Sequence, residues 1–131
     1  MSNSLSSLRI LVVEDEMLVA MSIEDALVEA GHEVIGPAAR VEQALSHLGS
    51  GQPIDAVVLD MNLHGFSGVP VAEEATHASI PVLILSGHGE NALNGLSAAT
   101  PHMSKPFDSP TLVAAVEDLV NRTNRQRKGV T

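Results

Sequence analysis

Three stretches of this chain are apolar almost without interruption and stop abruptly at a polar residue. They are Leu8-Arg9-Ile10-Leu11-Val12-Val13, closed by Glu14-Asp15-Glu16; Ala56-Val57-Val58-Leu59, closed by Asp60; and Ile80-Pro81-Val82-Leu83-Ile84-Leu85, closed by Ser86-Gly87. A strand with one wet face alternates apolar and polar residues, so runs like these fit strands buried on both faces. The segments between them switch to helical spacing. Val19, Ile23, Ala26, Leu27 and Ala30 precede Gly31, where a capping glycine belongs. Val41, Ala44, Leu45 and Leu48 precede Gly49-Ser50-Gly51 in the same way. A loop with Gly65 and Gly68 leads to a short third helix from about Val69-Pro70. Leu112, Val113, Val116, Leu119 and Val120 give a last helix its apolar face, with Ser109 expected as its cap and Pro110 as its first residue. Glu33-Val34-Ile35-Gly36 and His102-Met103-Ser104 read as two further short strands. Residues 87–101 are rich in Gly, Asn and Ser, so a helix between Ser86 and Lys105, near 92–99, is expected to be short or irregular. The pattern predicts an α/β fold, a doubly wound five-stranded parallel sheet with helices on both faces.

With 131 residues the chain suits one domain, expected over 8–121 between a flexible N-terminus (1–7) and a basic C-terminal tail (122–131), with no effector domain. Cysteine is absent, which excludes disulfides, thiolate metal sites and cysteine nucleophiles. No apolar run approaches the ~18 residues of a membrane span, and Met1–Ser7 lacks the basic start of a signal peptide. A cytoplasmic protein without a membrane partner is therefore expected. The net charge is −9, and four of the seven basic residues lie in the last ten positions. The body carries three basic residues against all sixteen acidic ones, and so acidic a surface repels nucleic-acid backbones. The terminal basic cluster reads first as a solubilising tail.

In an open parallel α/β sheet, ligands bind beyond the carboxyl ends of the strands. Those ends here offer Glu14 and Asp15, Asp60, Ser86 and Lys105, while Gly36-Pro37 closing the second strand contributes nothing. Each has a plain reading alone: acids capping a helix, a turn aspartate, a Ser-Gly turn, a solvated lysine. Together they are complementary and fall at the same end of different strands. Two carboxylates ~5 Å apart repel by about 3 kcal/mol at an effective dielectric of 20, so three need a cation or a proton. Hard oxygen donors without sulfur suit Mg²⁺. A carboxylate beside Mg²⁺ and a lysine can attack a phosphoryl group in line while the cations neutralise its equatorial oxygens.

Val12-Val13-Glu14-Asp15-Glu16, Val58-Leu59-Asp60-Met61-Asn62-Leu63 with Gly65 and Gly68, Leu83-Ile84-Leu85-Ser86-Gly87, and Ser104-Lys105-Pro106-Phe107 together resemble the receiver domain of bacterial two-component response regulators. The resemblance spans about residues 8–121. It implies the CheY-like, flavodoxin-like strand order 2-1-3-4-5, with Asp60 as phosphoacceptor. It also implies Glu14 and Asp15 as the acidic pair that holds Mg²⁺ with Asp60, the backbone carbonyl of Asn62 as a further metal ligand, and Ser86 and Lys105 as contacts of the phosphoryl group. Pro106 is implied to follow a cis peptide. Asn62 and His88 occupy the positions that influence how fast water removes the phosphoryl group. The implied function is that of a single-domain response regulator in a phosphorelay. Its donor is a sensor histidine kinase or a histidine phosphotransfer protein. Its output is protein binding or onward transfer, and no external substrate is turned over. The readout face would lie on the fourth helix, fifth strand and last helix.

The chain departs from the family pattern in several places. The acidic pair is Glu-Asp rather than Asp-Asp, and the longer Glu14 arm would reach the metal through water. His102 replaces the aromatic switch residue, which would make the switch sensitive to pH. These departures, together with the short or irregular fourth helix and Leu-Ser-Gly after the fourth strand, are similar to a subgroup of stand-alone receivers found with atypical histidine kinases. Three other readings compete. Gly87-His88-Gly89-Glu90-Asn91-Ala92 matches a dinucleotide-binding G-x-G-x-x-A, but at the wrong strand and without a second nucleotide half. Asp60-Met61-Asn62 is similar to aspartyl-nucleophile phosphatases but lacks their second aspartate. A degenerate receiver that only binds partners is the main rival. Apart from His88 and His102, the histidines (His32, His47, His64, His77) read mostly as surface or loop residues.

Overall fold

The computed structural model describes residues 7–87 and 100–129, with side chains as far as Gln126. Its elements in chain order are β1 (Arg9–Val13), α1 (Met17–Glu29), β2 (Glu33–Ala38), α2 (Val41–Leu48), β3 (Ala56–Asp60), β4 (Asn62–Leu63), β5 (Phe66–Ser67), α3 (Val69–His77), β6 (Val82–Ser86), β7 (His102–Ser104) and α4 (Ser109–Gly129). Five strands form one sheet in the order β2-β1-β3-β6-β7, every pairing parallel. The two-residue strands β4 and β5 pair only with each other, as an antiparallel ribbon. With that ribbon set aside, the order is the expected 2-1-3-4-5. The helix expected near 92–99, His88 and the 87–92 glycine motif fall largely or wholly outside the described residues.

Alternation along each buried strand sends successive side chains to opposite faces. Ile10, Val12, Val58, Leu83 and Leu85 pack with Ile23 and Leu27 of α1 and Leu112, Val116 and Leu119 of α4. Leu11, Val13, Val57, Leu59 and Ile84 pack on the other side with Ala44 of α2 and Val71, Ala72 and Ala75 of α3. Both faces are covered, which is why the central strands read as continuous apolar runs. Gly31 ends the α1 turn at a φ of 94°, as its place after the last apolar helix position requires.

Three local features differ from the sequence reading. β2 does not stop at Gly36 but runs through a cis Gly36–Pro37 bond to Ala38, whose carbonyl accepts the Glu14 N–H at 2.9 Å. The second strand therefore does contribute to the rim, through backbone. The cap of α4 is Asp108 rather than Ser109: Asp108 Oδ2 accepts the Thr111 N–H (3.2 Å), Oδ1 accepts the Thr111 hydroxyl (2.7 Å), and the Asp108 carbonyl accepts the Leu112 N–H. Those hydrogen bonds hold the Asp108 carboxyl below its ordinary range. Finally, α4 continues to Gly129, through residues read as following it. Nothing between Pro110 and Gly129 breaks a helix, and an Asp118–Arg122 ion pair (3.1 Å) bridges the turn where the apolar face ends.

Candidate functional site

The parallel ladder carries its register to the rim. Glu14 follows β1, Asp60 is the last residue of β3, Ser86 the last of β6, and Lys105 follows β7. Backbone bonds continue past the strands and fix these neighbours: Lys105 N–H to the Ser86 carbonyl at 2.8 Å, and Met61 N–H to the Leu85 carbonyl at 3.3 Å. Gly68 closes the site from below. A side chain there would meet the Asp60 carbonyl at 3.0 Å and the Leu59 side chain at 3.2 Å, so the loop passes Asp60 at a distance where even a methyl group would be crowded.

Glu14, Asp15 and Asp60 each present a carboxylate oxygen, and the three lie within 4.8 Å of one another. Lys105 Nζ stands among them, 2.9 Å from Glu14 Oε1, 3.3 Å from Asp60 Oδ2 and 3.6 Å from Glu16 Oε1. The Glu14 side chain is completely enclosed and that of Asp60 nearly so, whereas Glu16 is exposed. Glu14 Oε2 accepts the Glu16 N–H (3.1 Å), and Asp60 Oδ1 accepts the Asn62 N–H (3.1 Å). Burial pushes the Glu14 carboxyl up to about 7, with Lys105 opposing and the charge of Asp60 adding to the rise. Burial also raises Asp60, against the Asn62 N–H and Lys105. For Lys105 burial works against the charge, but Glu14 and Asp60 outweigh it and hold the ammonium above its ordinary range. One lysine thus faces a surplus of negative charge.

The expected site residues fall as follows. Glu14, Asp15, Asp60 and Lys105 converge. Ser86 is buried beside them through the ladder. Asn62 is exposed, and its side chain serves the ribbon by accepting the Gly65 N–H at 3.0 Å. His102 is exposed, with its ring Nδ1 3.1 Å from the Thr100 carbonyl. Two participants escaped the sequence reading. Glu16, which the sequence places in the acidic run before the first helix without a site role, reaches Lys105. His64, grouped with the surface histidines, donates its N–H to Asp15 Oδ2 at 2.8 Å. Gly65, directly after His64 and five residues beyond Asp60, is the turn signal in the sequence that points to a tight turn there.

The donor set fits Mg²⁺. It is all carboxylate oxygen, and the enclosed Glu14 Oε1 has no aligned hydrogen-bond partner among the described residues, only the charge contact with Lys105.

A family model for the response regulator receiver domain matches residues 10–117. The transcriptional regulatory protein PrrA of Mycobacterium leprae is 37% identical over 127 residues, covering 93% of this chain and 54% of PrrA. The transcriptional regulatory protein PdtaR of Mycobacterium tuberculosis is 29% identical over 118 residues, covering 87% of this chain and 57% of PdtaR. The chain thus spans about half the length of these curated relatives. A response regulator receiver protein from Sinorhizobium medicae superposes with a TM-score of 0.80 at 30% identity, over 92% of this chain and 99% of that one. Strand order, rim chemistry and kinship agree: the chain belongs to the family of response regulator receiver domains, the signalling module of two-component systems.

Proposed function

We propose that Asp60 accepts a phosphoryl group from a phosphohistidine donor, a sensor histidine kinase or a histidine phosphotransfer protein, within a phosphorelay. The observation that carries this reading is the convergence of three carboxylates and one lysine within a few ångström at the carboxyl edge of the sheet. An Asp60 carboxylate oxygen would attack phosphorus as the P–N bond to the donor imidazole breaks, leaving an acyl phosphate on Asp60 and a neutral imidazole once it takes up a proton. Glu14, Asp15, Asp60 and the Asn62 carbonyl would hold Mg²⁺, which when bound offsets charge on the transferring oxygens. Lys105 would turn from the carboxylates toward the phosphoryl oxygens, and the Ser86 hydroxyl would meet them from the next strand. Asn62 keeps its N–H on Asp60 and so fixes the orientation of the nucleophile.

Output as a single-domain regulator, by protein binding or onward transfer, belongs to the same proposal. The exposed Met17, Leu18 and Met21 of α1 give a donor protein apolar surface close to Glu16 and the rim. Intact mass measured after incubation with acetyl phosphate, with and without Mg²⁺, tests the reading. One phosphoryl group is expected only with Mg²⁺, mapping to Asp60, and none on Asp60→Asn. Equal labelling of Asp60→Asn would remove the assignment. No labelling of the wild-type protein would leave the rival, a module that only binds partners.

A further inference from the structure

The ribbon β4–β5 is built like a clamp on the acids. Its turn is His64-Gly65, with φ of 53° and 83°, the left-handed pair that a tight hairpin requires. Asn62 N–H is given to Asp60, Asn62 Oδ1 takes the Gly65 N–H, and His64 N–H is given to Asp15 Oδ2. The His64 ring follows its own backbone: Nδ1 lies 3.5 Å from the same Asp15 Oδ2, while the rest of the ring is largely open to solvent. The Asp15 side chain is mostly covered. Asp15 Oδ2 thus lies beside both the backbone N–H and the ring of a single residue, while a carboxylate oxygen of Asp15 lies within 4.8 Å of those of Glu14 and Asp60. Groups that hold a metal-ligating carboxylate from behind fix its rotamer and typically change metal affinity by about 10–100-fold when removed.

We infer that His64 is a positioning residue for Asp15, its imidazole holding the carboxylate turned toward the cation site. The inference rests on the proposed role of Asp15 as a metal ligand. The short N–H bond belongs to the backbone and survives any side-chain change, so the ring's part can be isolated. His64→Gly suits a φ of 53°, keeps the N–H and removes only the ring. His64→Asn also tolerates that φ and restores a side-chain donor.

The test is Mg²⁺ binding by calorimetry on wild type, His64→Gly, His64→Asn and Asp15→Asn, with unfolding midpoints confirming that each variant is folded. The His64 ring nitrogens are followed by NMR during the titration. The expected result is about tenfold weaker Mg²⁺ binding in His64→Gly, the lower end for so exposed a ring, with substantial recovery in His64→Asn. The His64 ring resonances shift on Mg²⁺ addition in wild type and stay still in Asp15→Asn. If His64→Gly binds Mg²⁺ as wild type does while Asp15→Asn is weakened, the inference falls and the metal-site reading stands. Equal losses in both His64 variants without any ring response assign the effect to the turn and also overturn it. If Asp15→Asn binds Mg²⁺ as wild type does, the metal-site reading itself fails.

Discussion

The two edges of the central sheet both carry polar clusters, and they are built in opposite ways. At the amino edge the donors of Arg9 and His32 are met by acceptors from neighbouring segments. Arg9 gives its N–H to Asp55, Nε to the Pro53 carbonyl, Nη1 to Glu33 and Nη2 to Gln52, all within 2.9 Å. The buried His32 accepts the Leu8 N–H at Nδ1 (3.1 Å), which fixes its proton on Nε2, and Nε2 gives that proton to Glu117 at 2.7 Å. This clasp ties the start of β1, the turn before β2 and α4 together. At the carboxyl edge Glu14, Glu16 and Asp60 share one lysine, and Glu14 is enclosed with its carboxyl pushed up to about 7. A satisfied network holds a fold; a charge-surplus network stores demand for a cation or a phosphoryl group.

The contrast can be broken most sharply at Lys105. Lys105→Ala should slow labelling of Asp60 by acetyl phosphate by about a hundredfold, the usual loss of one charge-stabilising donor. It should leave Mg²⁺ binding intact or tighter, because a competing cation is gone. Loss of Mg²⁺ binding instead would mean the lysine organises the acids rather than opposing them.

At the other edge, His32→Ala should leave the Leu8 N–H without its acceptor and lower unfolding free energy by about 2 kcal/mol. Urea denaturation reads this as a lower midpoint at unchanged slope. Labelling of the folded protein should be unchanged, and a slowed rate would show that the edges are coupled.

The pH dependence separates the edges by sign. Glu14 has its folded carboxyl raised from 4.5 to about 7, so ionising it costs the metal-free fold. That cost is absent below about pH 4.5, grows between there and about 7, and is complete above it. In wild type the apparent Mg²⁺ affinity should fall about tenfold per pH unit below 7, as a proton competes for the same oxygen. Glu14→Gln should flatten that slope and remove the stability loss across the window; an unchanged slope would place the proton elsewhere.

The smallest effect is a local control. Asp108→Ala removes the α4 cap and should cost about 1 kcal/mol in the same urea experiment, with no change in Mg²⁺ binding.

The strand runs around Val12, Val58 and Ile84, the helix spacings, and the acids and lysine ending each run were all legible without coordinates, because burial on two faces leaves an unmistakable apolar record. The strand order followed from the resemblance those strand-end residues carry. What local pattern could not deliver was anything set by distance across strands. His32 looked like any histidine beside a glycine; only the packing of α4 against the β1–β2 edge enclosed it and supplied Glu117. His64 looked like loop surface until the ribbon folded it onto Asp15. The cap moved from Ser109 to Asp108 because side-chain reach, not residue preference, chose the acceptor. Sequence lists which charges end which strands, since patterning is local. Which of them share one small volume, and which partner each finds, depends on contacts between residues some 45 to 90 positions apart, as the Lys105–Asp60 and Lys105–Glu14 pairs illustrate.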